Sequence, residues 1–166
     1  MIELLDEWTL YQRITRHLPE SARTVPVMQN GYVVSVVDDD ESVRQAIDGL
    51  LRSVGLQVAM FASAEEFLQS DCRWFTDCLV LDLGMPGMDG FELQQKLTDN
   101  GHPIPIVILT AHGDSEARKR ALRAGASAFL QKPFDGDQLL AAIQTARNRR
   151  YPALSVVGSC HIPMYS

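Results

Sequence analysis

Polar side chains that could do chemistry follow a series of short apolar segments in this chain of 166 residues. Three consecutive aspartates, residues 38–40, come after the first segment, and Asp82, Thr110 and Lys132 come after later ones. Carboxylates repel one another unless a cation neutralises them, and hard oxygen ligands favour Mg²⁺ or Mn²⁺ over zinc. If the fold brings these residues together, their charges alone imply a divalent metal ion.

The same residues match the needs of phosphoryl transfer, which are a nucleophile, a cation and donors for the phosphoryl oxygens. Asp82 could attack phosphorus as a carboxylate, while Lys132 offsets charge on the phosphoryl oxygens and Thr110 donates its hydroxyl. Each residue alone could equally be a helix cap, a turn former or a solvated charge, and Asp40 could be only a cap. The joint pattern has no shared structural reason, so it favours chemistry.

The elements that must position these residues can be predicted from residues 33–147, where short apolar segments alternate with amphipathic ones. This alternation is typical of parallel strands joined by crossover helices. Strands are predicted at residues 33–37, 57–61, 78–81, 104–109 and 128–131, with a helix after each. Because the ligand site of such a sheet lies beyond the carboxyl ends of its strands, the polar residues should converge at one edge.

Composition excludes several functions. The formal net charge is −6 and the pI is about 5.1, so neither phosphate backbones nor anionic lipids would attract the surface. We therefore expect no nucleic-acid binding and, without a long apolar segment, no membrane span. The acidic start of the chain does not resemble an export signal, and the cysteines lack metal-binding spacing. These features predict a cytoplasmic protein with reduced thiols.

Four segments of the chain resemble the receiver domains of two-component response regulators, in the same order and at the same separations. They are residues 36–40, 79–90, 107–113 and 131–134. The resemblance covers roughly residues 32–147, and residues 61–68 and 110–113 are most similar to FixJ-type regulators. It implies a flavodoxin-like (βα)5 fold, a doubly wound five-stranded parallel sheet in the order 2-1-3-4-5.

The segments before and after this domain lack its alternation of apolar and amphipathic segments. Residues 1–31 place apolar side chains, among them Trp8 and Tyr11, at helical spacing before Pro26, which predicts an amphipathic helix and a linker. That helix could cover its own domain or dock on a partner. Residues 148–166 show no clear period and are predicted to form a flexible tail.

The resemblance also implies roles for individual residues. Asp82 would be the phosphoacceptor, and Asp38 and Asp39 the acid pair. Mg²⁺, or Mn²⁺, would bind Asp39, a side-chain oxygen of Asp82 and the main-chain carbonyl of Gly84, with Asp38 acting mostly through water. Lys132 would pair with the phosphoryl group, the Lys132–Pro133 peptide would be cis, and Thr110 and Phe129 would be the switch residues.

Two positions depart from what the family often carries. Gly84, the second residue after the phosphoacceptor, could leave an acyl phosphate open to water or could only ease a tight turn. His112, the second residue after Thr110, is expected to be an exposed loop residue without a catalytic part.

The implied function is that of a receiver that takes a phosphoryl group from a sensor histidine kinase or phosphotransfer protein. Phosphorylation would switch the surface of helix four, strand five and helix five, and a homodimer is possible. The chain could be a stand-alone receiver, or a fragment of a FixJ-type DNA-binding transcription regulator that lacks its helix-turn-helix domain. Rival hypotheses are a phosphorylation-independent interaction module and an aspartyl-phosphate phosphatase. The phosphatase would normally carry a second Asp where Gly84 stands, so a phosphoacceptor is preferred over a turnover enzyme.

Overall fold

Five parallel strands form one sheet in the computed structural model of the chain, which describes residues 31–101 and 103–150. The strands are β1 Val33–Val37, β2 Gln57–Phe61, β3 Cys78–Asp82, β4 Ile106–Thr110 and β5 Ala128–Gln131. Their order is β2-β1-β3-β4-β5, and every neighbouring pair is parallel. The predicted doubly wound sheet is confirmed.

Helices cover both faces of this sheet. They are α1 Glu41–Ser53, α2 Ala64–Gln69, α3 Gly90–Asp99, α4 Ser115–Arg123 and α5 Gly136–Arg150. Apolar residues of α1 and α5 belong to one core cluster, and those of α2, α3 and α4 belong to the other. Successive β3 residues alternate between the clusters, as Leu79 and Val80 do, because side chains of a strand point to opposite faces. Burial on both faces explains the nearly continuous apolar sequence of β3 and β4.

Aspartates immediately before three helices act as caps. Asp40 accepts from the Ser42 N–H before α1, and Asp114 accepts from the Ala117 N–H before α4. Asp89 and Glu92 form a reciprocal capping box at the start of α3. Asp40 therefore has a structural role, in contrast to its two neighbours in the triple-aspartate segment.

Some details differ from the sequence-based prediction. A single 3₁₀ turn, Asp71–Trp74, lies between α2 and β3 and was not predicted. β4 begins at Ile106 rather than at residue 104, because Pro105 has no N–H to donate to a neighbouring strand. β3 includes Asp82, and α5 continues to Arg150, beyond residue 147.

The predicted N-terminal helix lies outside the described residues, as does the predicted tail beyond residue 150. Among the helices that are described, none combines the length and the apolar character needed to cross a membrane.

Candidate functional site

Asp82 is the last residue of β3 and is only 6 % exposed. The first residue of α3, Gly90, packs against the main chain of Asp82, since a Cβ at Gly90 would lie 2.6 Å from the Asp82 carbonyl oxygen. Asp82 Oδ1 accepts a hydrogen bond of 3.2 Å from the Gly84 N–H. Burial and the charge of Asp38 raise the pKa of Asp82, while the Gly84 N–H and Lys132 oppose the rise. The ionised carboxylate therefore needs positive charge nearby.

Asp38 and Asp39 follow β1, the strand next to β3 in the sheet. Asp38 is buried and Asp39 is exposed, and one oxygen of each lies within 4.8 Å of an Asp82 oxygen and of one another. Both oxygens of Asp38 already accept hydrogen bonds, Oδ1 from the Asp40 N–H and Oδ2 from Lys132. The fold thus brings the predicted acid pair to the predicted phosphoacceptor.

Lys132 reaches this cluster from the end of β5. Its Nζ lies 2.6 Å from Asp38 Oδ2 and 3.6 Å from Asp82 Oδ2. Burial acts to lower the pKa of Lys132, but its hydrogen bond to Asp38 and the charges of Asp38 and Asp82 outweigh burial and raise it. Lys132 is therefore an ammonium at neutral pH. The peptide bond between Lys132 and Pro133 is cis, as predicted.

The three carboxylates suit a hard divalent cation. Their oxygens are close together, and three acids against one ammonium leave the cluster with an excess of negative charge. Carboxylate and carbonyl oxygens are the ligands that Mg²⁺ and Mn²⁺ prefer. The residues present therefore fit the predicted metal.

Thr110 ends β4 and is 3 % exposed. Its hydroxyl oxygen accepts from the His112 N–H at 3.2 Å, which leaves the hydroxyl proton available for donation. Phe129 of β5 is buried, and a Cβ added at Gly113 would lie 2.8 Å from both the Phe129 ring and Thr110 Cγ2. The two predicted switch residues therefore pack around a glycine that was not predicted to matter.

The model of one protein family, the response regulator receiver domain, matches residues 34–144 of the chain. This match covers more than half of the sequence and includes all of the site residues described above. The chain belongs to the family of response regulator receiver domains. Phosphorylation is the standard role of these domains, which interact with histidine kinases or phosphotransfer proteins and generally bind Mg²⁺ at an acidic pocket.

This chain matches its curated relatives over only part of their length. The response regulator protein TmoT of Ectopseudomonas mendocina is 44% identical over 114 residues, which are 69% of this chain and 52% of TmoT. The transcriptional regulatory protein FixJ of Bradyrhizobium diazoefficiens is 39% identical over 72% of this chain and 58% of FixJ. The chain thus spans about half the length of these curated relatives.

Solved structures of receiver domains agree with this fold. The crystal structure of FixJ-N is 39% identical, with a TM-score of 0.65, and the match covers 73% of this chain and 96% of that one. The response regulator StyR is 47% identical, with a TM-score of 0.66, over 74% of this chain and 64% of StyR. The resemblance to FixJ-type receivers is confirmed.

The geometry separates the two explanations for Gly84 in the receiver domain. Gly84 is not among the glycines with positive φ, and a Cβ built there would meet only Asp82 Oδ1, at 4.0 Å. The backbone therefore does not require glycine at this position. The absence of a side chain instead leaves space beside the Asp82 carboxylate. His112 is exposed, as expected.

Two residues near the site were missed by the sequence reasoning. Arg44 of α1 donates from Nη1 to the Asp38 carbonyl oxygen at 2.6 Å, and Glu65 of α2 accepts from the Met88 N–H at 2.9 Å. Both occupy polar positions of amphipathic helices, where the sequence carries no signal for such long-range contacts. Arg44 holds the loop after β1, and Glu65 holds the loop after β3.

Proposed function

We propose that Asp82 is the phosphoacceptor of this receiver domain and takes its phosphoryl group from a phosphohistidine of a sensor histidine kinase or phosphotransfer protein. One observation carries the proposal. The buried Asp82 carboxylate lies 3.6 Å from the Lys132 ammonium and within 4.8 Å of two further carboxylates, so an ammonium and a cation-binding cluster flank the nucleophile.

The reaction forms one bond and breaks one. An oxygen of ionised Asp82 forms the new O–P bond as the N–P bond of the phosphohistidine breaks, and the electron pair of that bond stays on the imidazole nitrogen. Lys132 pairs with the transferred group, since its ammonium has three N–H donors and one of them is bonded to Asp38. The Thr110 hydroxyl, whose proton is available, donates to a phosphoryl oxygen.

Asp39, Asp82 and the main-chain carbonyl of Gly84 would hold Mg²⁺ directly, with Asp38 acting mostly through water. The two hydrogen bonds that Asp38 already accepts support its indirect role. When bound, Mg²⁺ would supply positive charge against the phosphoryl oxygens. Mn²⁺ offers the same oxygen chemistry.

The switch consists of Thr110 and Phe129 acting on the surface of α4, β5 and α5. A change from a mostly inactive to a mostly active population needs a differential free energy of roughly 5 kcal/mol. Charge-assisted hydrogen bonds to the new phosphoryl group, at about 1.5 to 3 kcal/mol each, can supply that differential. The changed surface would bind a partner or a second copy of the domain.

TmoT is a response regulator and FixJ a transcriptional regulatory protein, and the matched region covers 52% of TmoT and 58% of FixJ. We therefore propose that this receiver domain controls a transcriptional output, as a phosphoacceptor rather than a turnover enzyme. The helical extension over residues 1–31, the tail that follows α5 and the cytoplasmic location remain predictions from the sequence.

The test is incubation of the protein with acetyl phosphate and Mg²⁺, followed by intact-mass measurement. Wild type should gain one phosphoryl group and Asp82→Asn should gain none. The matched control is Asp89→Asn, which keeps a good helix cap and should be phosphorylated like wild type. Equal phosphorylation of wild type and Asp82→Asn, or none of wild type, would overturn the proposal. Steady hydrolysis of a phosphate monoester would instead indicate a phosphatase.

A further inference from the structure

The loop of residues 83–89 carries Gly84 and is anchored at both ends. At its base, the Leu83 N–H donates to the Leu109 carbonyl at 3.2 Å, and the Gly90 N–H donates to the Leu83 carbonyl at 3.4 Å. At its far end, the Asp89 capping box joins it to α3. Between these anchors, the Gly84 N–H also donates to Asp82 Oδ1 at 3.2 Å.

A residue of α2 adds a further contact near the far end of the loop. Glu65 Oε1 accepts from the Met88 N–H at 2.9 Å, across a sequence separation of 23 residues. The same oxygen lies 3.0 Å from the position that a Cβ would take at Gly87, where φ is +78°. Gly87 thus provides both the left-handed backbone and the space for the carboxylate.

The charge of Glu65 supports this contact. The Met88 N–H is the main cause of a lowered pKa for Glu65, so the side chain is a carboxylate at neutral pH and accepts a charge-assisted hydrogen bond. Glu65 has no part in the phosphoryl transfer proposed above. Its neighbour Glu66 accepts instead from the Ala62 N–H at 2.7 Å, a contact local to the start of α2.

We propose that Glu65 is a positioning residue for the divalent-cation site, and that its carboxylate fixes the loop of residues 83–89 so that the Gly84 carbonyl faces the cation together with Asp82. The inference rests on the proposed function, because Gly84 is a ligand only if the acidic cluster binds the metal. Outer contacts of this kind hold metal ligands in place and tune the affinity for the ion.

The test compares Glu65→Ala, Glu65→Gln and Glu66→Ala with wild type in the full chain. Mg²⁺ dissociation constants are measured by calorimetry, and the amide resonances of Gly84 and Met88 are followed by NMR. Glu65→Ala should weaken Mg²⁺ binding about 3- to 10-fold, the size expected for one lost hydrogen bond. It should also shift both amide resonances in the metal-free protein.

The conservative variant separates positioning from general loss of structure. Glu65→Gln keeps an acceptor oxygen and should restore Mg²⁺ affinity to within about 2-fold of wild type. Glu66→Ala removes the same charge from the same helix and should leave Mg²⁺ affinity and both amides unchanged. Urea unfolding of each variant checks that it is folded under the conditions of the titration.

The outcomes distinguish the two proposals. If wild type binds Mg²⁺ and Glu65→Ala binds it equally well, the role of Glu65 is overturned and the phosphoacceptor proposal stands. Equal weakening by Glu65→Gln, Glu65→Ala and Glu66→Ala would also overturn it, since only charge would then matter. If wild type binds no Mg²⁺, both the metal site and the role of Glu65 are wrong.

Discussion

Replacing Asp82 by Asn should stabilise the metal-free receiver domain at neutral pH. The substitution keeps the shape of the side chain and an acceptor for the Gly84 N–H, but it removes a buried charge. Lys132 retains its contact with Asp38, whose Oδ2 lies 2.6 Å from the ammonium. A residue central to the proposed function is thus expected to lower the stability of the fold.

The magnitude follows from the distances in the site. At an effective dielectric constant of about 20, two carboxylates whose oxygens lie no more than 4.8 Å apart repel by at least about 3.5 kcal/mol, and the Lys132 contact at 3.6 Å attracts Asp82 by about 4.6 kcal/mol. Asp38 contributes the full repulsion and exposed Asp39 a smaller, screened one. The two repulsions together roughly offset the attraction, and burial of the charge is the largest single cost. We therefore expect Asp82→Asn to raise the free energy of unfolding by about 2 kcal/mol.

The stability difference between Asp82→Asn and wild type should depend on pH in a definite direction. Because the pKa of Asp82 is raised above 3.8, the folded protein binds this proton more tightly than the unfolded chain does. The contribution of Asp82 to stability therefore falls as pH rises from about 3.8 through the higher folded value. The advantage of Asp82→Asn should shrink when unfolding is measured near pH 4.

Urea unfolding with EDTA at both pH values measures this effect, with Asp99→Asn as the control. Asp99 lies exposed at the end of α3, and its substitution should change stability by less than about 0.5 kcal/mol. Saturating Mg²⁺ should stabilise wild type more than Asp82→Asn, because the cation offsets the same repulsion. The reasoning is wrong if Asp82→Asn is less stable than wild type in EDTA at pH 7, or if its advantage is unchanged near pH 4.

Four further substitutions, one of them a control, test other contacts. Lys132→Met should lower the free energy of unfolding by about 3 kcal/mol in EDTA at pH 7, because two buried carboxylates lose their ammonium. Urea unfolding should show a smaller loss near pH 4. Gly90→Ala places a Cβ 2.6 Å from a carbonyl oxygen and should lower the free energy of unfolding by about 2 kcal/mol. Its control, Gly49→Ala on the exposed face of α1, should raise the free energy of unfolding by up to about 1 kcal/mol in the same assay. Gly113→Ala should displace the Phe129 ring, which NMR of its aromatic protons would detect, while unchanged ring resonances would contradict the packing described.

The strand pattern and the convergence of the candidate site residues could be predicted from the sequence because local rules govern both. A strand buried on both faces must be apolar along its length, as β3 and β4 are, so its end is visible where Asp82 or Thr110 appears. Parallel strands end at the same edge of the sheet, so strand order then brings those residues together. Helix starts were visible for a similar reason, since Asp89 and Glu92 satisfy N–H groups within one turn.

Contacts between residues distant in the sequence were decided only by the tertiary structure. A polar side chain such as Gln94 occupies an apparently exposed helix position, yet it is buried and donates to the Ala121 and Ala124 carbonyls at the end of α4. The contact between Glu65 and Met88 depends on the distance between α2 and a loop, which no local spacing encodes. The sequence by itself determined which residues lie at the edge of the sheet where the parallel strands end, because the periodicity that marks each strand is local. Which side chains hold that edge in shape depends on how the helices pack against it.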